Sequence, residues 1–203
     1  MVLTDQDDLP RVSTSSGTLV GEQSGSVASF KGIAYAIAPV GELRWQAPQA
    51  VPAKTSLVDA RSFGPICPQP ASAEYPQASM SEDCLNLNVW TSDTQTKKPV
   101  MVWIHGGGFR AGSNRIKGEV LAAEGVVIVS LNYRLGVLGF FAHPLIEGPD
   151  FNFGLLDLIA GLRWVQSNIS AFGGDPASVT VFGISAGAAA VNLLMAADPA
   201  RGL

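Results

Sequence analysis

Apolar positions along the chain come in short runs parted by turn residues, and the period changes from run to run. Residues 18–36 alternate around Gly21, Gly25 and Gly32, which predicts antiparallel strands or a hairpin near the N-terminus. From Pro48 to Pro76 six prolines interrupt any period, the mark of a long irregular connection. Leu85-Asn86-Leu87-Asn88-Val89 alternates strictly and predicts a half-buried strand. Residues 100–104 and 126–129 are unbroken apolar runs, as expected of strands covered on both faces.

Helical spacing lies between and after these runs. Residues 118–124 form a short candidate helix. Residues 153–169 are a longer one, with Leu155, Leu158, Ile159, Leu162, Val165 and Ile169 three or four positions apart. Gly173-Gly174 ends it, residues 179–182 predict another buried strand, and residues 188–197 predict a helix packed closely through small side chains. Apolar strands alternating with helices imply an α/β fold. Its central sheet is expected to be mostly parallel, with helices on both faces and antiparallel strands at the N-terminal side, in a single domain over residues 1–203.

Composition narrows the function classes. Charged residues are 15% of the 203, below the usual quarter, which excludes a self-repelling disordered chain. A net charge of −4 without basic clusters leaves no footprint for nucleic acid or an anionic membrane, and the Lys97-Lys98 doublet reads as a solvated loop. Met1 to Pro10 contains Asp5, Asp7 and Asp8 and has no secretory pattern, so the compartment stays open, cytoplasmic by default. Pro176 to Ala197 is uncharged, yet Gly183, Gly187 and four hydroxyl or amide residues make it a poor membrane span and a good strand–turn–helix. Two Cys and two His form no metal cluster, and no cofactor is expected.

Two segments carry chemistry. Gly183-Ile184-Ser185-Ala186-Gly187 is a G-x-S-x-G between a strand and a helix, where a sharp turn would expose the serine at a helix N-terminus. On this motif alone, an incidental serine in a tight turn is an equal reading. His105-Gly106-Gly107-Gly108 follows the apolar strand 100–104, and three residues without Cβ let backbone N–H groups converge on a negative oxygen. Gly106-x-Gly108-x-x-Ala111 also fits a loose dinucleotide fingerprint, but no helix opens at once and no ribose-binding acid is well placed. A phosphate-binding P-loop fails for want of Gly-Lys-Ser/Thr.

Together with Phe172-Gly173-Gly174-Asp175-Pro176 and Glu82-Asp83-Cys84-Leu85-Asn86-Leu87-Asn88-Val89, these segments resemble the type-B carboxylesterase family of the α/β-hydrolase fold, the cholinesterase/lipase group. Phe30-Lys31-Gly32, Asn132-Tyr133-Arg134-Leu135-Gly136 and Gly154-Leu155-Leu156-Asp157 follow in the family's order, so the likeness runs from about Val12 onward. The resemblance implies that Ser185 is the nucleophile, that the N–H groups of Gly107, Gly108 and Ala186 form the oxyanion hole, and that His105 packs the loop. It implies a Cys67–Cys84 disulfide, with two reduced buried thiols as the alternative. It also implies structural ion pairs Arg44–Glu82 and Arg134–Asp157.

After Ser185 the sequence holds no histidine and only Asp198 as a carboxylate, so the triad acid and base are absent. The chain therefore reads as the N-terminal part of a longer esterase, incomplete at the C-terminal side of its sheet and inactive alone. His143, in a His-Pro loop, is the only other base at hand. Ile184 stands where the family usually has Glu, and the segment between Cys67 and Cys84 contains Tyr75 but no Trp. Both departures favour a small neutral carboxylic ester over a quaternary ammonium ester. The alternative is a non-catalytic, cholinesterase-like binding or adhesion domain. Oligomeric state is left open, and Asn168-Ile169-Ser170 is a glycosylation sequon in a predicted helix end.

Overall fold

A computed structural model describes residues 9–53, 55–146 and 151–203. The acidic stretch with Asp5, Asp7 and Asp8 lies outside the described residues. The strands are β1 (Arg11–Thr14), β2 (Gly17–Val20), β3 (Glu22–Ser24), β4 (Val27–Ala34), β5 (Leu57–Asp59), β6 (Asn86–Thr91), β7 (Lys98–Ile104), β8 (Val127–Leu131) and β9 (Gly174–Gly183). The helices are α1 (Glu119–Ala123), α2 (Gly136–Phe140), α3 (Phe153–Asn168) and α4 (Ala186–Ala196).

The alternating N-terminal residues form the β3–β4 hairpin, which opens a six-stranded sheet of order β3-β4-β6-β8-β7-β9. A small second sheet of order β1-β2-β5 lies beside it. The six-stranded sheet is mixed, with its antiparallel strands on the N-terminal side. Three of its five pairings, β3/β4, β4/β6 and β6/β8, are antiparallel, while β7/β8 and β7/β9 are parallel. A parallel pair needs a crossover, and only the later strands have one: α1 lies between β7 and β8, and α3 between β8 and β9.

Helices do cover both faces. The large core cluster holds Leu87 and Val89 of β6, Val100, Val102 and Ile104 of β7, and Leu158, Leu162 and Val165 of α3. On the opposite face Trp90 and Ile128 pack with Ala122 of α1. Because successive side chains alternate between faces, this places α3 and α1 on opposite sides of the sheet.

Several strand environments differ from the pattern. Every residue of β6 is buried, because Asn86 and Asn88 point into a polar network rather than into water. In β7 only alternate residues are fully buried; Met101 and Trp103 stay partly exposed. β9 is a sheet edge, not a buried strand, and Thr180 on it is exposed. The proline-rich connection contains β5, which pairs in parallel with β2. Lys98 belongs to β7 instead of a loop, and its ammonium donates to Ser92 Oγ at 2.9 Å.

Candidate active site

The C-terminal ends of β7 and β9 lie side by side, Ile104 paired with Gly183. The segments that leave them are therefore neighbours, and these are the two glycine-rich motifs. A Cβ built on Gly106 would sit 2.7 Å from the Ile184 carbonyl oxygen and 3.3 Å from Ser185 Cβ. One on Gly187 would collide with the Ile104 carbonyl oxygen, so α4 can start this close to β7 only if residue 187 has no side chain. Its first turn closes through Gly187 N–H donating to Ile184 O at 2.8 Å.

Ser185 sits between β9 and α4 at φ 52°, ψ −119°, a conformation that costs a non-glycine residue about 1–3 kcal/mol. The residue is exposed, and among the described residues no group hydrogen-bonds its Oγ. The backbone N–H groups of Gly107, Gly108 and Ala186 likewise donate to no described protein acceptor. Gly107 and Gly108 are exposed and carry positive φ values of 100° and 63°. Ser185 thus stands beside a loop of unengaged donors, at the N-terminus of an 11-residue helix whose dipole favours negative charge.

Neither histidine reaches Ser185 by a hydrogen bond. His105 is buried, its ring stacked on Tyr133 with centroids 4.5 Å apart and its Nδ1 2.9 Å from Gly106 O. Nε2 has no partner among the described residues, and burial pulls the pKa of the ring down to about 4. Tyr133 in turn donates its hydroxyl to His105 O at 3.1 Å. His143 lies on an exposed segment, stacked against Phe141, where its Nδ1 accepts the Leu145 N–H. A cleft of about 480 Å³ opens beside the glycine loop; Tyr75, Trp103, Ile116 and Ile184 line it together with Glu74 and Arg115.

Other residues singled out by the sequence hold connections between elements. Cys67 and Cys84 are joined by a disulfide with S–S 2.05 Å. Arg44 grips Glu82 with two bonds of 2.6 Å. Arg134 grips Asp157 with bonds of 2.8 and 2.7 Å, and the Arg134 N–H adds a third at 3.0 Å. Asp157 is fully buried, which pushes its carboxyl upward while Arg134 pulls it back. Asn168 of the sequon is buried, with Oδ1 accepting from Ser15 and Nδ2 donating to Trp164 O, so its amide is committed to the fold.

Periodicity did not reveal a buried asparagine network. Asn114 donates to Asn86 O and Oδ1, Asn88 donates to Asn114 O and Ser130 Oγ, and Asn132 Oδ1 accepts the Asn114 N–H. This network ties the chain after the glycine loop to β6 and β8. The strict Leu-Asn-Leu-Asn alternation was its one visible signal, and it reads equally well as a wet strand face. Among the described residues no cluster of His, Cys, Asp or Glu could hold a metal ion, and no helix is long and apolar enough to cross a membrane.

A mixed sheet flanked by helices, with a G-x-S-x-G turn after a strand and a glycine loop after its neighbour, defines an enzyme-like chain of the α/β-hydrolase fold. Solved carboxylesterases share it: the carboxylesterase of Geobacillus stearothermophilus superposes with a TM-score of 0.87 at 44% identity, over 95% of this chain and 41% of that one. The chain belongs to the carboxylesterase family, whose model matches residues 8–203. It is 46% identical over 204 residues to the fumonisin B1 esterase of Sphingopyxis macrogoltabida, and 46% identical over 202 residues to the para-nitrobenzyl esterase of Bacillus subtilis. Each match takes in 95% of this chain but 37% and 41% of those proteins, so the chain spans about two fifths of their length. Family membership supports ester hydrolysis and does not favour the binding-domain alternative.

Proposed function

We propose that Ser185 is the nucleophile of a serine carboxylic-ester hydrolase and that the N–H groups of Gly107, Gly108 and Ala186 form its oxyanion hole. The observation that carries this reading is the juxtaposition of a serine held at positive φ with three unengaged backbone donors. Ser185 Oγ adds to the ester carbonyl, the donors stabilise the developing oxyanion, and the alcohol leaves to give an acyl-enzyme that water hydrolyses. Each donor is worth roughly 10²–10³ in rate.

Attack also needs a group to take the Ser185 proton. His105 is turned into Tyr133 and His143 is stacked on Phe141, so neither described histidine is placed for it. The 203-residue chain is therefore expected to show negligible turnover alone. A small neutral ester is the substrate class this reading favours, because Ile184 rather than a carboxylate stands directly before the serine, and Trp103 and Ile184 add apolar surface to a cleft that also holds Glu74 and Arg115.

The test is fluorophosphonate labelling of a full-length form together with hydrolysis of p-nitrophenyl esters, comparing the wild type with Ser185→Ala. Labelling confined to Ser185 supports the assignment. Label elsewhere, or ester hydrolysis that survives Ser185→Ala, would overturn it.

A further inference from the structure

Three successive glycines give the loop after β7 almost no conformational restriction of its own, yet Gly107 and Gly108 must hold their N–H groups in one direction. The restriction has to come from the loop's ends. At its start, His105 is pinned by Tyr133. In the middle, Arg110 and Ala111 both donate to Gly107 O, at 3.0 and 3.1 Å.

At its far end, Gly112, a single side chain occupies both backbone groups. The Gly112 N–H donates to Gln69 Oε1 at 2.8 Å, and Gln69 Nε2 donates to Gly112 O at 2.8 Å. The second Nε2 proton goes to Cys67 O at 3.0 Å, so the amide is fully committed and its orientation is set. Gly112 itself lies against the start of the loop. At φ 120° a Cβ there would strike His105 Nδ1 and lie 2.7 Å from Gly106 O. Any shift of Gly112 is therefore felt at His105 and Gly106, directly before Gly107.

Gln69 is held in turn. It follows Cys67 by two residues, and the disulfide to Cys84 ties this segment to the entry of β6. Ile66 exchanges backbone hydrogen bonds with Ser79 and Ser81, closing the same segment at its base.

We propose that Gln69 is a positioning residue for the oxyanion hole: from the disulfide-closed segment 67–84 it clamps Gly112 and thereby fixes the direction of the Gly107 and Gly108 N–H groups. The catalytic half of this rests on the esterase reading above; the clamp itself does not. Gln69 is not among the residues lining the cleft, so its loss should slow the chemical step and leave binding of the neutral ester little changed.

The experiment compares wild type, Q69A and Q69E in three measurements. Amide hydrogen exchange on the 203-residue chain should rise about tenfold or more in Q69A at Arg110, Ala111 and Gly112, the loop amides that donate to protein acceptors, while β8 and the melting temperature stay in place. Q69E keeps an acceptor for the Gly112 N–H but loses the donor to Gly112 O, so its exchange should fall between the two. Unchanged exchange at Arg110, Ala111 and Gly112 in Q69A overturns the clamp. A general rise that includes β8, with a lowered melting temperature, overturns it as well, since Gln69 would then be a global stabiliser.

The third measurement is the reaction of Ser185 with a fluorophosphonate in a full-length form that supplies a general base. Q69A should lower the maximal labelling rate about tenfold with the half-saturating concentration unchanged, and Q69E should restore part of it. Equal maximal rates beside raised exchange would refute the catalytic role. If a full-length wild type takes no label at Ser185, the esterase reading fails, and the exchange result still decides the clamp.

Discussion

His105 follows β7 as a buried imidazole, and its reluctance to take a proton can be read as a loss of stability in acid. Burial lowers its pKa from the ordinary 6.5 to about 4, against the small opposing effect of the Gly106 carbonyl, and Nε2 has no acceptor to meet an added proton. The unfolded chain takes the proton first. Stability contributed by the neutral buried ring is therefore intact well above 6.5, declines as pH falls through 6.5, and stops declining below about 4. Between about pH 7.5 and about pH 5 the ring alone should remove roughly 2 kcal/mol, approaching roughly 3 kcal/mol at lower pH. Urea unfolding followed by tryptophan fluorescence, on the wild type and His105→Gln, measures this. Glutamine does not titrate, and the carboxylates are common to both proteins, so the difference between the two stability curves isolates the imidazole. His105→Gln costs some stability near neutral pH, but it should lose less on acidification, and the curves should converge. Parallel curves over this range would show that the ring titrates normally in the folded chain, and the burial argument would fall.

Two further outcomes follow from the supporting residues. Asp157→Ala leaves the Arg134 guanidinium buried without its carboxylate and should cost about 3–5 kcal/mol in urea unfolding. Replacing both partners with apolar residues, Arg134→Met with Asp157→Leu, should cost clearly less; equal losses would mean that the pair contributes only its volume. Reduction of the Cys67–Cys84 disulfide, which spans 17 residues, should destabilise the chain by about 3 kcal/mol, seen as a lower urea midpoint in the presence of dithiothreitol.

Periodicity located α3 almost to the residue and found the β3–β4 hairpin, β7 and β8, because these are local decisions in which a handful of neighbouring side chains choose a face. It misjudged environments. β6 looked half-wet and is buried, and β9 looked buried and is the edge of the sheet that the described residues form. An asparagine in a strand carries no mark of whether water or another amide will satisfy it. Nor does an apolar run say which neighbour will cover it.

The same division runs through the candidate site. The turn at Ser185 could be read from five adjacent residues, since a sharp strand–helix junction needs small side chains on both flanks of the serine. The glycine loop could be read from its missing Cβ atoms. Sequence alone thus determined which groups could do chemistry. Only tertiary structure decided what holds them: Gln69 meets Gly112 across 43 residues, Asn114 meets Asn86 across 28, and Arg134 meets Asp157 across 23. Such pairs leave no periodic trace, because a hydrogen bond between loops depends on where the sheet carries their ends.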